Sequence, residues 1–448
     1  MILLLLAASF VFASSIRIYR VVDPYHQSQA IMTQLFCAGK EPSSQQRQPL
    51  TGTNANVFWR AVDADHLRQH PLFEALPEPH EVKVSTAKDF CLFRQCSWQW
   101  DALHTGRLTT SRAAACLGFY ENESAKILGI PKSLSGHSKG VHARQFLCDT
   151  TTPNDWSFLN ADYQKKPVQQ QGQPHQRRPP CIWHANNTSA SSSGKLPVPY
   201  FYRPPPTNSL PSRRRGFTSV SSARMAWGSA QESTALLTAL NYFHNFHRGS
   251  IVSEVGMCAL EALPFPIMPS FQSETIQAWL EDGTLPPIGA SPDGIITHAD
   301  GTLEALEVKC HSPFVERKGL AIFDRGPATT VASWHIPQLL LHILCAGPSC
   351  SGAVLVSLSA TKGANLFRVK RDDDMIFRIL TWIRLFYVTY VLEGTALSHP
   401  PINFFQNEKG YATFLKDIKA MADSCPIIAH VENKDVQRSS QNGQFFHG

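Results

Sequence analysis

The sequence lacks the cysteine patterns that mark zinc-binding or disulfide-stapled proteins. Its 448 residues include 11 cysteines, an odd number, with no Cys-x-x-Cys pair and no regular spacing. Cysteine zinc sites use such pairs, and small secreted domains use even, closely spaced sets. Neither a cysteine zinc site nor a disulfide framework is therefore indicated. We interpret most of the thiols as small, buried and reduced.

An apolar run long enough for a comfortable transmembrane helix is also missing from the N-terminal stretch. Residues 1–15 are apolar and end in small residues, but they include no basic residue. A membrane span needs about 20 residues, whereas the apolar part of a signal peptide is shorter. Three interpretations stay open: a secretory or organelle-targeting leader, a chance apolar N-terminus, and a mis-assigned start, which would go with a nuclear or cytoplasmic protein. Localisation is thus unknown, and no stable membrane association is expected.

Strong charge of either sign is absent as well. The chain has 41 Lys and Arg against 35 Asp and Glu, a net charge of +6 and a pI of about 8.7. Such a mild excess is compatible with a polyanionic partner but does not demonstrate one. The hydrophobic content of 43% is enough for one large core, or for one domain with appendages.

The most informative stretch of the chain is a predicted β-hairpin. Apolar residues 294–296 are followed by a His-Ala-Asp-Gly turn at 298–301 and by a second alternating run at 303–308. Alternation on both sides of an Asp-Gly turn is typical of two antiparallel strands.

Two acidic residues and a lysine converge at one end of this hairpin. The side-chain period of two places Glu307 and Lys309 on one face and Val308 on the other, and Asp293 lies at the mouth of the first strand. Two carboxylates and the Val308 carbonyl are ligands that Mg²⁺ prefers, and Lys309 could orient water or stabilise developing charge. The alternative is a common turn beside a solvated cross-strand ion pair.

The wider motif resembles a known nuclease family. Residues 289–294 read Gly-Ala-Ser-Pro-Asp-Gly, residues 306–310 read Leu-Glu-Val-Lys-Cys, and Asp293 precedes Glu307 by fourteen positions. This pattern resembles the lambda-phage exonuclease and YqaJ-like viral recombinase family, a branch of the PD-(D/E)xK nucleases. The resemblance implies an α/β fold with a restriction-endonuclease-like core, in which helices flank a mixed central sheet. It also implies Mg²⁺, or Mn²⁺, as the cofactor.

A second match involves the segment before an alanine-rich stretch. Thr110 or Ser111 would be a good N-cap for the helix predicted behind it, and a capped helix N-terminus beside arginines suits phosphate, although capping alone explains the pattern. The resemblance implies that Ser111 binds a DNA phosphate. His104 occupies the position of a family arginine, so Arg107 or Arg112 would take its place as the phosphate-binding cation.

Two helices supply the remaining family matches. Met225, Gly228 and Glu232 fit the register of a family helix that carries an acidic residue into the active site. Gln338 fits the first glutamine of another family helix, whose second glutamine is replaced by Leu340. From the residues alone, Glu232 reads as a surface carboxylate and Gln338 as a helix-capping contact.

Several other elements follow from pattern alone. We predict strands at 353–358 and 366–371, and a helix over 375–392 that the aspartates at 372–374 cap. His335 and His342 are seven residues apart on the helix opened by Pro337, and without a matching carboxylate we interpret them as structural.

The predicted organisation has six parts. Segment 151–222 is rich in Gln, Ser, Pro and Arg runs and cannot bury enough apolar surface to offset its ordering entropy, so we predict a disordered insertion. The other parts are the leader 1–15, an N-terminal extension 16–90, the first part of the nuclease domain 91–150, the nuclease core 223–392 and a C-terminal tail 393–448.

The predicted function is a Mg²⁺-dependent DNA nuclease, and by resemblance an exonuclease that acts on double-stranded DNA with free ends in recombination or repair. Assembly into a homo-oligomer is compatible with the family. The alternatives are a weakened nuclease fold that only binds nucleic acid, and a structure-specific endonuclease. The implied site comprises catalytic residues Asp293, Glu307, Lys309, Glu232 and Gln338, metal ligands Asp293, Glu307, Val308 and Glu232, and phosphate-binding residues Ser111, Arg107 and Arg112.

Overall fold

The computed structural model describes residues 61–62, 64–95, 97–132, 134, 157–160, 220–316, 320–392 and 405–438. The predicted leader 1–15 lies outside these ranges, as does most of the predicted insertion 151–222. The α-helices that the structure describes are α1 (Ala64–Arg68), α2 (Trp98–Ala102), α3 (Ala113–Cys116), α4 (Asn122–Leu128), α5 (Val220–Phe246), α6 (Ser270–Glu281), α7 (Ile336–Cys345), α8 (Asp373–Tyr387) and α9 (Tyr411–Ser424).

The strands form one large sheet and two small ones. They are β1 (Phe73–Glu74), β2 (Leu108–Thr109), β3 (Ile251–Ser253), β4 (Cys258–Ala259), β5 (Ile288–Ala290), β6 (Gly294–Thr297), β7 (Leu303–His311), β8 (Phe314–Glu316), β9 (Leu320–Ile322), β10 (Cys350–Ser359), β11 (Ala364–Lys370) and β12 (Ile427–Val431). The large sheet has the order β1-β3-β6-β7-β10-β11-β12. Its β1–β3 and β7–β10 pairs are parallel and the others antiparallel, so the sheet is mixed.

The predicted hairpin is confirmed. β6 and β7 pair antiparallel, with Gly294 opposite Leu306. The turn is closed by Asp300, whose Oδ1 accepts from the Thr302 backbone N–H at 2.9 Å. Gly301 adopts φ 82°, a left-handed conformation that glycine reaches without steric cost.

Helices cover both faces of the large sheet, so the predicted α/β architecture is confirmed at that level. On one face, Val308 and Leu306 of β7 pack in the same core as Leu236 and Leu240 of α5. On the other face, a second core contains Ala305 of β7 together with the apolar residues of α7 and α8. Because β7 is buried from both sides, it is the rigid centre of the fold.

The predicted start of α8 is also confirmed. Asp372 is its N-cap, and the carboxylate accepts from the Met375 backbone N–H at 2.8 Å. With a π-helical turn at Val388–Leu392, the segment Asp373–Leu392 is long and apolar enough to cross a membrane. Its buried residues, which include Ile379 and Ile383, pack in the core of the domain. Core packing therefore accounts for the apolar residues on one face of the helix.

Both ends of the described chain contribute to the sheet, which the sequence did not predict. Within the predicted extension 16–90, β1 pairs with β3 and forms one edge. Within the predicted tail 393–448, β12 pairs with β11 and forms the other edge, after α9 has packed against the core. The boundaries at 90 and 393 therefore cut through the structural unit.

Candidate active site

Asp293 lies where β6 begins and is tied to β7 through two backbone contacts. Its N–H donates to the Leu306 carbonyl at 2.9 Å, and its Oδ2 accepts from the Val308 N–H at 2.6 Å. The N–H and C=O of one strand residue point to the same side of the strand, so the Val308 carbonyl is directed toward the Asp293 side. The predicted backbone ligand and the predicted acid are therefore neighbours.

The Glu307 carboxylate is the most enclosed part of the site, at 4% exposure. Its Oε1 accepts from Gln338 Nε2 at 2.7 Å and from the ammonium of Lys309. Lys309 lies two residues further along β7 and hence on the same face. The structure thus brings together three of the predicted residues, one from α7 and two from the hairpin.

Glu232 reaches the same site from α5 and is half-buried. Burial, reinforced by the charge of Glu307 and opposed by Lys309, raises the pKa of Glu232 to about 7. Burial, with the charges of Glu307 and Glu232, also raises the pKa of Asp293 well above its ordinary value. Three carboxylates therefore share one electrostatic environment, and repulsion between them is incompletely offset.

Lys309 is the cation that offsets part of this repulsion. Burial alone would lower the pKa of Lys309, but Glu307 and Asp293 outweigh burial and raise it. The ammonium is therefore charged throughout the physiological pH range and stabilises the metal-free site. Its contact with Glu307 occupies the same carboxylate that a cation would require.

The donor chemistry of the site fits a hard divalent cation. Asp293, Glu307 and Glu232 offer carboxylate oxygens, which Mg²⁺ and Mn²⁺ prefer. Burial, and secondly repulsion between the carboxylates, raises the pKa values of Asp293 and Glu232, and a cation would compensate the charge that the site disfavours. In the part of the chain that the structure describes, no group of three or more His, Cys, Asp or Glu residues is already arranged to hold a metal ion. The carboxylates would have to turn toward a shared cation.

The loop that carries Asp293 is fixed by residues from the N-terminal half of the chain. Gln95 Nε2 donates to the Pro292 carbonyl at 2.9 Å, and Trp100 Nε1 donates to Ser291 Oγ at 2.9 Å. Gly289 passes so close to its neighbours that an added Cβ would lie 2.4 Å from Met257 Sδ. The motif glycine is therefore required by packing beneath the site.

The prediction that Arg107 binds a DNA phosphate is wrong. Its side chain is fully buried and donates to Glu261 Oε2 at 2.8 Å and to the carbonyls of Leu103 and Ile288. Through these contacts the Arg107 side chain links β5 to the 3-10 turn at 260–262, next to the loop that carries Asp293. Arg107 is a structural cation without access to a ligand.

The predicted helix cap at Thr110 or Ser111 is also wrong. The alanine-rich helix α3 is four residues long, and Arg112 at its N-cap makes no side-chain capping bond. Thr110 instead starts a 3-10 turn, and its hydroxyl contacts His342. Ser111 is exposed, 3.3 Å from the Thr109 hydroxyl, and Arg112 is half-buried. Phosphate binding by these two residues stays a prediction.

His342 is a site residue that the sequence interpretation missed. Its ring is buried, with Nε2 2.8 Å from Thr110 Oγ1 and Nδ1 3.5 Å from Glu307 Oε2. Burial lowers the pKa of His342 to about 4, although Glu307 opposes the shift. The sequence did contain a clue to its role: His342 follows Gln338 by four residues, and residues four apart share one face of a helix.

Comparisons of this chain with protein-family models, with curated proteins and with solved structures found no match. The functional proposal therefore depends on the residues and the geometry described above, and on the resemblance of the motifs.

Proposed function

We propose that this protein is a metal-dependent nuclease that hydrolyses phosphodiester bonds in DNA. One observation carries the proposal. Asp293, just before β6, lies beside Glu307 and Lys309 in the second half of β7, where Gln338 and Glu232 join them. The site holds three acids around one lysine, an excess of buried negative charge that a structural ion pair does not require.

The order of elements supports a PD-(D/E)xK core as part of the proposal. Helix α5 is followed by β3 and by the β6–β7 hairpin, after which α7 crosses over to β10, parallel to β7. The motif residues occupy the central hairpin of this arrangement. This arrangement agrees with the mixed central sheet flanked by helices that the resemblance implies.

Each residue then has a distinct task. Asp293, Glu307, Glu232 and the Val308 carbonyl would hold the divalent cation, which supplies a Lewis acid that polarises the phosphate and lowers the pKa of bound water. Lys309 places a fixed positive charge where negative charge grows on the phosphate oxygens. Gln338 orients the Glu307 carboxylate. Glu232 would contact the cation or its bound water from helix α5.

The substrate proposed first is a duplex DNA end, by resemblance to the family. One observation favours cleavage without an end as the second candidate. His104, which replaces the family arginine, uses Nδ1 in a 2.8 Å contact with the Trp100 carbonyl. Arg107, one of the two expected substitutes, is buried, which leaves Arg112 as the other. Two of the side chains at the positions expected to bind a terminal phosphate are thus occupied or buried. Weaker binding of a DNA end favours an endonuclease, or a protein that binds nucleic acid without cutting it.

Digestion assays with matched substrates test the proposal. Linear, circular, 5′-phosphorylated and unphosphorylated duplexes are incubated with and without Mg²⁺, using wild type, Asp293→Asn and Asp300→Asn. Asp300 is an exposed acid in the turn of the same hairpin and is the control. Asp293→Asn is expected to lose at least about 100-fold in rate, and Asp300→Asn to keep wild-type activity.

The outcomes separate the candidates. Degradation of linear but not circular DNA supports the exonuclease, cutting of circles supports the endonuclease, and Mg²⁺-dependent binding without product supports the binding protein. An Asp293→Asn variant that degrades DNA at the wild-type rate would overturn the site assignment.

A further inference from the structure

A buried chain of polar contacts leads from the Thr110 hydroxyl through His342 to Glu307. Thr110 and His342 are 3% and 1% exposed, so water does not compete for these groups. The His342 Nδ1 atom is buried and makes no full hydrogen bond, and the polar atom it approaches is Glu307 Oε2 at 3.5 Å. A buried ring nitrogen left without a full bond calls for an explanation.

The partners of His342 determine which ring nitrogen carries the proton. A neutral imidazole has one donor nitrogen and one acceptor nitrogen, and an ionised carboxylate only accepts. Nδ1 faces the Glu307 carboxylate and must therefore be the N–H. Nε2 is then the acceptor, so the Thr110 hydroxyl donates to it across 2.8 Å. The reverse tautomer would point a lone pair at a negative charge.

Helix α7 thereby contacts both oxygens of one carboxylate. Gln338 Nε2 donates to Glu307 Oε1 at 2.7 Å, and His342, one helical turn later, faces Oε2. Two contacts from one rigid helix restrict the rotation of a side chain that strand β7 alone would leave freer.

We propose that His342 is a positioning residue for Glu307, with Thr110 fixing the tautomer that directs Nδ1–H at Oε2. This inference rests on the proposed function, since it assigns the contact to a carboxylate that would ligate a divalent cation. Groups that orient a metal ligand in this way change metal affinity when they are lost. His342 itself touches neither metal nor substrate.

Binding of Mn²⁺ by calorimetry, without DNA, tests the inference. His342→Phe keeps a planar aromatic ring, slightly larger than imidazole, and removes both contacts, and its Kd for Mn²⁺ is expected to rise about 10–100-fold. Thr110→Val removes only the hydroxyl and is expected to give a smaller rise. The double variant should match His342→Phe alone, because Thr110 acts through the ring.

Thr238→Val is the matched control. Thr238 lies on α5 at 2% exposure and its hydroxyl donates to the Thr234 carbonyl at 2.7 Å, so the variant loses a buried hydroxyl away from the site. It is expected to lower the melting temperature and leave the Mn²⁺ Kd unchanged. If His342→Phe does not fold, the Mn²⁺ Kd of Thr110→Val is compared with that of Thr238→Val, since both replace a buried threonine by valine.

Two results would overturn the inference. One is an unchanged Mn²⁺ Kd in His342→Phe or, if that variant is unfolded, in Thr110→Val. The other is a ¹⁵N spectrum of labelled histidine that shows the proton of His342 on Nε2. Failure of the proposed function is distinct, because wild type would then bind no Mn²⁺, or Asp293→Asn would bind it as tightly as wild type. The ¹⁵N spectrum decides the tautomer in that case too.

Discussion

Replacing Glu232 by glutamine is expected to stabilise the metal-free protein at neutral and alkaline pH. The pKa of Glu232 is about 7, against 4.5 for an ordinary glutamate, chiefly because of burial. A raised carboxyl pKa means that folding disfavours the charged form. The penalty is absent below pH 4.5, grows between pH 4.5 and 7 and is complete above pH 7. Since each tenfold change in proton affinity is about 1.4 kcal/mol, the full penalty is about 3 kcal/mol.

The assay is thermal or urea unfolding of wild type and Glu232→Gln from pH 4 to 8 with EDTA present. A gain of about 3 kcal/mol corresponds to roughly 6–12 °C in melting temperature for a domain of this size. Glu274→Gln, at an exposed position of α6, is the control and is expected to show no pH-dependent gain. Saturating Mg²⁺ should reduce the gain, because a bound cation compensates the buried negative charge of Glu232. A gain that is equal at pH 4 and pH 8, or none at pH 8, would refute the reasoning.

Three further variants and one control variant test the neighbouring contacts. Lys309→Met should lower the free energy of unfolding of the metal-free protein by about 3 kcal/mol at pH 8, and by less in acid, where the carboxylates are protonated. A loss that unfolding experiments show to be independent of pH would contradict this. Arg107→Met should lower the free energy of unfolding in urea by about 3 kcal/mol and leave the salt dependence of DNA binding unchanged. If DNA binding by the variant depended less steeply on salt concentration, Arg107 would contact a phosphate after all. Gly289→Ala should lower the free energy of unfolding by about 1–3 kcal/mol, because its Cβ has no room. Gly228→Ala is the control: a Cβ there meets nothing within 4 Å, so the change should stabilise helix α5. Equal melting temperatures of the two variants would refute the packing assignment.

The hairpin and the helix starts were predictable because their signals are local. Strands β6 and β7 are adjacent in sequence, and period-two alternation around an Asp-Gly turn specifies their pairing. Pro337 and Asp372 act within one turn of the helices that they begin. The convergence of Asp293, Glu307 and Lys309 then follows from strand geometry alone.

The edges of the sheet were not predictable, since their pairing is distant and their signal short. β1 is two residues long and pairs with a strand nearly 180 positions away. β12 has five residues, three of them partly buried, and no clear alternation. The burial of Arg107 depends on Glu261, and the role of His342 depends on Thr110, 232 positions distant. Local sequence carries no information about such partners.

The two edge strands of the large sheet come from opposite ends of the described chain. β1 begins at Phe73 and β12 ends at Val431, while the motif hairpin lies between them. During synthesis on the ribosome, β11 therefore emerges with an unpaired edge and keeps it until Val431 has left the exit tunnel. Unpaired edges invite strand addition by other chains, so removing the residues after 425 should cause aggregation rather than yield a smaller folded protein.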